Sequence, residues 1–314
     1  MKKKVICSVL LGLMVSGQLV GSDYIKPKKD KKTGISYYDL NKNGYLDIYE
    51  NPALAVEERV SALLSQMTIE EKVGQMLTSL GWPMYERQGN TIRLTEQLVR
   101  EIEEYHTGSL WGFMRADPWT QRTLTTGLTP ALAAKASNML QKFAIEHGRL
   151  GIPLFLAEEC PHGHMAIGTT VFPTSIGQAS TWNPELIRKM GRAIANEASA
   201  QGAHIGYGPV LDLARDPRWS RVEETYGEDA YLNGVMGVAL VNGFQGEFPG
   251  NKGKVIATLK HFAAYGWTEG GHNGGSAHIG NREMEEAIYP PFREAVAAGA
   301  LSVMSSYNEI DGIP

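Results

Sequence analysis

The chain is short of cysteine, of net charge and of long apolar runs, and each shortage closes off a class of protein. Its 314 residues include two cysteines. Cys7 lies inside an N-terminal segment expected to be removed, so Cys160 stands alone and no internal disulfide can brace the mature chain. The net charge is only −4, with a pI near 6.1. Basic residues gather mainly at Lys2 to Lys4 and at Lys26 to Lys32, both near the N-terminus, so there is no electrostatic footprint for nucleic acid. The apolar run of the first segment, Val5 to Val15, falls short of the ~20 apolar residues that span a bilayer.

What is present begins with an export pattern over residues 1–22. Lys2-Lys3-Lys4 precede the apolar run, and small residues follow at Ser16-Gly17 and Gly21-Ser22. The expected location is therefore periplasmic or secreted. The remaining length is enough for one large domain or two medium ones.

Residues 23–66 read as a linker, a cation loop and a leading helix. Asp39, Asn41, Asn43, Tyr45, Asp47 and Glu50 occupy the liganding positions of a twelve-residue calcium loop. Gly44 stands at its turn, Tyr45 would offer its carbonyl and Glu50 both carboxylate oxygens. The same Asx-rich spacing also suits a plain turn. No paired second loop is present, so the expected Ca2+ role is structural, and no organic cofactor is expected.

Asn51-Pro52 then opens a helix carrying Val56, Val60, Leu63, Leu64 and Met67 at helical spacing, and Thr68 with Glu71 forms a capping box for the next one. Gly81 to Asn90 reads as a loop, and Thr95 to Tyr105 as a helix. From there strands and helices alternate. Strands are expected at Ser109–Met114, Ile152–Ala157, His204–Leu213, Val255–Phe262 and Leu301–Tyr307. Helices fall between them at Pro130–His147, Pro184–Ala200, Asp229–Phe244 and Arg282–Ala298, the last kinked by Pro290-Pro291. This alternation predicts an α/β fold with a parallel sheet, the N-terminal part of a TIM-type (β/α)8 barrel over residues 67–314. About five strands is short of the eight that close such a barrel, so the barrel is expected to be incomplete in this chain.

Polar residues concentrate just past the strands, where barrel enzymes work. Glu158, Glu159, Cys160, His162 and His164 follow the second strand; Asp212, Arg215, Asp216, Arg218, Arg221, Glu223 and Glu224 the third; Lys260, His261 and Glu269 the fourth; and Ser305 to Asn308 the fifth. The run Val255 to Phe262 is apolar without alternation, as in a strand covered on both faces. Neighbouring side chains on a strand point to opposite faces, so Lys260 and His261 should diverge. Burying an unpaired lysine is costly, which predicts a bulge or an unusual peptide bond that turns both inward.

These segments resemble the family 3 glycoside hydrolases, which include β-glucosidases and β-xylosidases. The matching pieces are Gly151-Ile152-Pro153 leading to Glu159 with His162-Gly163, Phe172-Pro173-Thr174, Asp216 to Arg221, Glu224 to Asp229, Lys260-His261-Phe262 and Ser302 to Asn308. The resemblance implies an exo-acting retaining β-glycosidase, most closely a β-glucosidase, acting on an oligosaccharide or β-glycoside. It implies that Lys260, His261 and Arg221 hold sugar hydroxyls in the cleavage subsite, that Glu159 grips the hydroxyls farthest from the cleaved bond, and that Met304 lines the same subsite. Charged hydrogen bonds to hydroxyls suit those roles.

The retaining members use an aspartate nucleophile on a later strand and an acid/base glutamate often taken from a following domain. Both are expected beyond Pro314, and none of Glu158, Glu159, Asp212, Glu223 or Glu224 has a better claim to the nucleophile's place. Residues 1–314 alone are therefore expected not to hydrolyse glycosides. A branch acting on N-acetylglucosaminides carries a second histidine where this chain has Ala263 to Gly266. Two rival readings remain: a metal site in the loop Glu158 to His164, and a noncatalytic sugar-binding module using Trp82, Trp111, Trp119 and Trp267 as stacking platforms.

Overall fold

A computed structural model of the protein describes residues 25–247 and 252–314. The export segment at 1–22 lies outside the described residues. The chain divides into two compact units, up to Ala157 and from Glu158 onward.

In the first unit, Lys28–Lys29 and Ser36–Tyr37 pair as a short antiparallel ribbon ahead of the loop 39–50. Helix α1 (Val56–Gln66) buries Leu63, and Leu63 and Met67 pack with Leu40, Tyr49, Ile145 and Leu150 in one core cluster. Helix α2 (Ile69–Gly74) starts at the anticipated box: the Glu71 amide donates to Thr68 Oγ1 at 3.2 Å and the Thr68 amide to Glu71 Oε2 at 2.9 Å. Strand β1 (Thr78–Leu80), helix α3 (Glu96–Glu103), strand β2 (Ser109–Trp111), helix α4 (Pro130–His147) and the start of β3 (Phe155–Glu159) complete the unit. The strands are parallel in the order β1-β2-β3, with Thr78 opposite Ser109 and Leu110 opposite Leu156.

Three expectations fail here. Helix α1 is capped at Ala55 and not opened by Asn51-Pro52, since Asn51 closes the short 3-10 turn Ile48–Glu50. Strand β1 was not anticipated, because three residues are too few to carry a periodic signal and only pairing with β2 makes them a strand. The stretch Gly81 to Asn90 is not a plain loop. Tyr85–Gln88 and Thr91–Leu94 form an antiparallel hairpin turned at Gly89, which has φ +59°. Tyr85 and Ile92 are its buried positions, with polar residues between, so the alternation is real but rests on one apolar side chain per strand.

The second unit contains the end of β3, α5 (Pro184–Gln201), β4 (Ile205–Val210), α6 (Ala230–Gln245), β5 (Ile256–Phe262), α7 (Tyr289–Ala297) and β6 (Ser302–Ser305). Its strands are parallel in the order β3-β4-β5-β6. Asn183 and Asp229 cap α5 and α6 by accepting the amides of Leu186 and Leu232 at 3.0 and 2.7 Å. Gly202 closes α5 in the left-handed region. These two helices pack glycine on glycine: a Cβ on Gly243 would sit 2.5 Å from the Arg188 carbonyl oxygen and 2.9 Å from Gly191 Cα. Ahead of Pro290-Pro291 the last helix takes a π-helical turn, Met284–Ile288, where a kink was expected.

The parallel α/β layout anticipated for an incomplete TIM-type barrel is the fold observed, with six parallel strands rather than five among the described residues. Every residue of β5 from Ile256 to His261 is buried, as its unbroken apolar pattern requires.

Candidate active site

The second unit brings three basic residues of the strand ends together, each held by its own carboxylate. Lys260, near the end of β5, donates from Nζ to Glu159 Oε2 at 2.6 Å, with the side chains 2% and 12% exposed. His261 Nδ1 lies 2.7 Å from Asp212 Oδ2, and both are buried. Arg221 makes a two-pronged contact with Glu224, 2.7 Å from Nε to Oε1 and 2.7 Å from Nη2 to Oε2. Tyr265 joins two of these pairs, those of Arg221 and His261. The Arg221 guanidinium lies 5.3 Å from the centre of its ring, and the His261 ring stands edge to face with it at 4.9 Å.

The predicted departure at Lys260-His261 is present: the peptide joining them is cis, and both side chains are buried beside a carboxylate. Glu159 ends β3, Asp212 follows β4, and Lys260 and His261 end β5, so three neighbouring strands deliver the cluster. The turn after His261 is fitted closely to the segment that follows β4. A Cβ on Gly266 would fall 2.2 Å from the Leu213 carbonyl oxygen, a contact only glycine permits.

The electrostatics follow from burial set against pairing. Burial opposes the charge on Arg221, but the Glu224 contact outweighs it and raises the pKa of the guanidinium. The same contact overcomes burial at Glu224 and holds its carboxyl low. Burial lowers His261, with Asp212 offsetting only part of the effect and Lys260 and Arg221 adding to it, so the imidazole is neutral at pH 7. The Tyr207 hydroxyl is pushed up to about 12, first by burial and then by Glu159 and Glu158. Its ring faces Lys260 Nζ at 5.9 Å. The buried lysine thus has a carboxylate on one side and an aromatic face on another.

Of the residues singled out from the sequence, Glu159, Arg221, Lys260 and His261 fall into this cluster. Met304 stands half-buried on β6, at the register shift between Val303 and Ser305. Sequence reasoning named Asp212 and Glu224 only as strand-end charges and missed Tyr265. The 49 residues between His261 and Asp212 hid their pairing, whereas Glu224 follows Arg221 at i,i+3, a spacing that could have suggested theirs.

The residues of the rival metal reading do not converge. Glu159 is taken by Lys260, the buried Cys160 thiol is pushed up by desolvation, and His164 is buried and pulled down to about 4. Among the described residues no three His, Cys, Asp or Glu side chains group as metal ligands. In the loop 39–50, Asp39 is held by Lys28 and by the Gly44 amide, and the Asn41 and Asn43 amides donate to Asp47 Oδ2 at 2.7 and 2.6 Å. Glu50 Oε1 accepts the Leu40 amide at 2.6 Å. Asp39 Oδ1, Tyr45 and the carboxylates of Asp47 and Glu50 are oxygen donors of the kind calcium takes, and Asp39 Oδ1 is buried without a hydrogen bond. In the first unit Trp82, Trp111 and Trp119 pack on one another, with centroids 4.8 to 5.7 Å apart. Arg115 lies over Trp111 and Trp119. Trp267, in the second unit, lies under Arg215.

A parallel α/β fold that gathers paired carboxylates and cations at its strand ends has the layout of part of a TIM-type barrel, whose sites lie at that face. The chain belongs to the glycosyl hydrolase family 3, whose N-terminal domain model matches residues 68–314. It is 32% identical over 273 residues to a periplasmic β-glucosidase of Salmonella typhimurium, covering 85% of this chain and 32% of that one. It is 43% identical over 201 residues to a β-xylosidase of Formosa agariphila, covering 61% and 27%. Among solved structures, a β-glucosidase from Erythrobacter marinus superimposes with a TM-score of 0.73 at 31% identity, covering 85% of this chain and 34% of that one. A Listeria innocua β-glucosidase in complex with glucose gives 0.68 at 34% identity, covering 82% and 34%. The chain thus spans about a third or less of the length of these relatives.

Proposed function

We propose that the protein is an exo-acting, retaining β-glycosidase that removes terminal β-linked sugars from oligosaccharides, most closely a β-glucosidase. The observation that carries this is the convergence of Glu159, Lys260, His261 and Arg221 on one spot at the strand ends, each basic group already steadied by a carboxylate. Such a site offers a sugar ring fixed donors and acceptors at little reorganisation cost, and charged hydrogen bonds to hydroxyls can strengthen at an oxocarbenium-like transition state. Glu159, Asp212 and Glu224 are committed to these partners and act as holding groups rather than as nucleophile or proton donor. The relative from Formosa keeps β-xylosidase activity as the second reading.

The test is hydrolysis of nitrophenyl β-glucoside and β-xyloside by the full-length protein, with Glu159→Gln and Arg221→Lys beside it. Each variant should lose about 10- to 100-fold in kcat/KM, the worth of a charged hydrogen bond. Wild-type protein inert toward both substrates would refute the reading. The faster substrate decides between glucose and xylose.

Two further parts of the reading concern the N-terminal region. The protein is exported, on the strength of its first 22 residues and of the Salmonella relative described as periplasmic; among the described residues no helix is long and apolar enough to cross a membrane. N-terminal sequencing of the mature protein tests this. The loop 39–50 takes calcium through Asp39, Asn41, Asn43, the Tyr45 carbonyl, Asp47 and Glu50, as a structural clip. Calcium should raise the unfolding temperature over that in chelator, bound terbium should luminesce on excitation of Tyr45, and Asp39→Ala should remove both effects. Identical unfolding in calcium and in chelator would overturn it.

A further inference from the structure

We propose that Asp212 is a positioning residue that fixes His261 with its proton on Nδ1, so that Nε2 faces the ligand as a hydrogen-bond acceptor for a sugar hydroxyl. The identity of the ligand rests on the glycosidase reading above; the tautomer does not.

The geometry leaves one assignment. Asp212 Oδ2 is 2.7 Å from His261 Nδ1, and the backbone amide of His261 also donates to the same carboxylate, at 3.3 and 3.4 Å from its two oxygens. An ionised carboxylate can only accept, as Asp212 does from the backbone amide, so Nδ1 is the donor. The arrangement is rigid. Asn233, buried on α6, donates to the Asp212 carbonyl at 3.0 Å, and the Leu211 amide donates to the Lys260 carbonyl at 2.6 Å. The ring is held against the Tyr265 edge at 4.9 Å. The charged groups that act on it are Asp212, Lys260, Arg221 and Glu224, and burial prevails, so its pKa is lowered and the ring is uncharged at pH 7. Nε2 makes no hydrogen bond with any described residue, and it is the polar atom of the ring left for a ligand.

The consequence is a division of labour that the residue types alone would not show. Lys260 and Arg221 can only donate. His261 in this tautomer can only accept at Nε2, and Glu159 accepts as well. A hydroxyl is the one common sugar substituent that gives and takes at once, so a site pairing a donor lysine with an acceptor imidazole reads the hydroxyl in both directions. Fluorine in its place could take from Lys260 but could give nothing to Nε2, which would be left buried without a partner. Had the proton stood on Nε2, three cationic or neutral donors would crowd the sugar and a fluoro analogue would lose little.

The experiment has two readouts on the full-length protein. The first is nitrogen NMR of histidine-labelled wild type and Asp212→Asn at a pH where His261 is neutral. Wild type should show protonated Nδ1 and bare Nε2. In the variant the asparagine amide can donate to Nδ1, and the proton should move to Nε2. The second is kinetic: Asp212→Asn should lose about 10- to 100-fold in kcat/KM for an aryl β-glycoside, mainly through KM. It should also discriminate less than about threefold between that glycoside and its monofluoro analogue at the hydroxyl contacted, where wild type discriminates at least tenfold. A purely structural role for Asp212 would not move the discrimination. A wild-type spectrum with the proton on Nε2 overturns the proposal outright, even if Asp212→Asn fails to fold. Unchanged KM and unchanged discrimination in a folded variant overturn it too. A protein that hydrolyses no β-glycoside removes the ligand assignment, while the spectrum still decides the tautomer.

Discussion

Replacing Lys260 by methionine should destabilise the protein far more than its loss of one hydrogen bond suggests. Methionine matches the lysine stem in length, so little cavity opens and the perturbation is close to pure removal of charge. The partner, Glu159, is then left 12% exposed with no cation within reach of its carboxylate, where before it accepted from Lys260 Nζ at 2.6 Å. Breaking a buried pair from one side costs about 3–5 kcal/mol, because the surviving charge keeps its desolvation penalty without its compensation. The slight exposure of Glu159 points to the lower end, about 3 kcal/mol. Substituting both residues, Lys260→Met with Glu159→Gln, removes the orphaned charge and should recover at least half of the loss. The coupling between the two changes would then be about 1.5 kcal/mol or more. Urea unfolding followed by circular dichroism measures all four corners of the cycle. The reasoning is refuted if Lys260→Met stays within 1 kcal/mol of wild type, or if the double variant is no better than the single one.

Other consequences can be checked with the same protein. His164 is buried and titrates at about 4 in the folded state against an ordinary 6.5, so the unfolded chain binds the extra proton between those values. The contribution of His164 to stability should therefore be full above pH 6.5 and fall by about 3 kcal/mol on the way to pH 4; the buried His204, also lowered to about 4, adds a second such fall, so His164→Phe should remove about half of the slope in pH-dependent unfolding. Gly266→Ala would place a methyl group 2.2 Å from the Leu213 carbonyl oxygen; it should cost about 2 kcal/mol or more in unfolding free energy and lower activity by displacing the turn behind His261. Unfolding within 0.5 kcal/mol of wild type, roughly the scatter of an innocuous surface change, would show that the backbone yields there.

Several elements were legible because their signal is local. The cap at Thr68 and the long periodic helices α4, α5 and α6 depend on residues three or four apart, and they lie where the pattern put them. Strand β5 was legible for a related reason: burial on both faces demands an unbroken apolar run. The hairpin at Tyr85–Gln88 and the three-residue β1 were not, because their stability comes from partners across a ladder rather than from their own sequence.

The site divides the same way. Residue types and strand-end positions pointed to a wider set of polar residues past the strands, and the resemblance to a known family singled out Glu159, Arg221, Lys260 and His261 among them. The sequence by itself determined the order of helices and strands, the position of the charged residues at the strand ends, and the conflict at Lys260-His261 that ordinary strand geometry could not satisfy. Only the tertiary structure decided which carboxylate meets which base from strand to strand: Glu159 with Lys260 across 101 residues and Asp212 with His261 across 49. The reason is physical. Helix and strand signals are written in near neighbours, whereas an ion pair between separate strands depends on the register that brings their ends level, and register exists only once the sheet has formed.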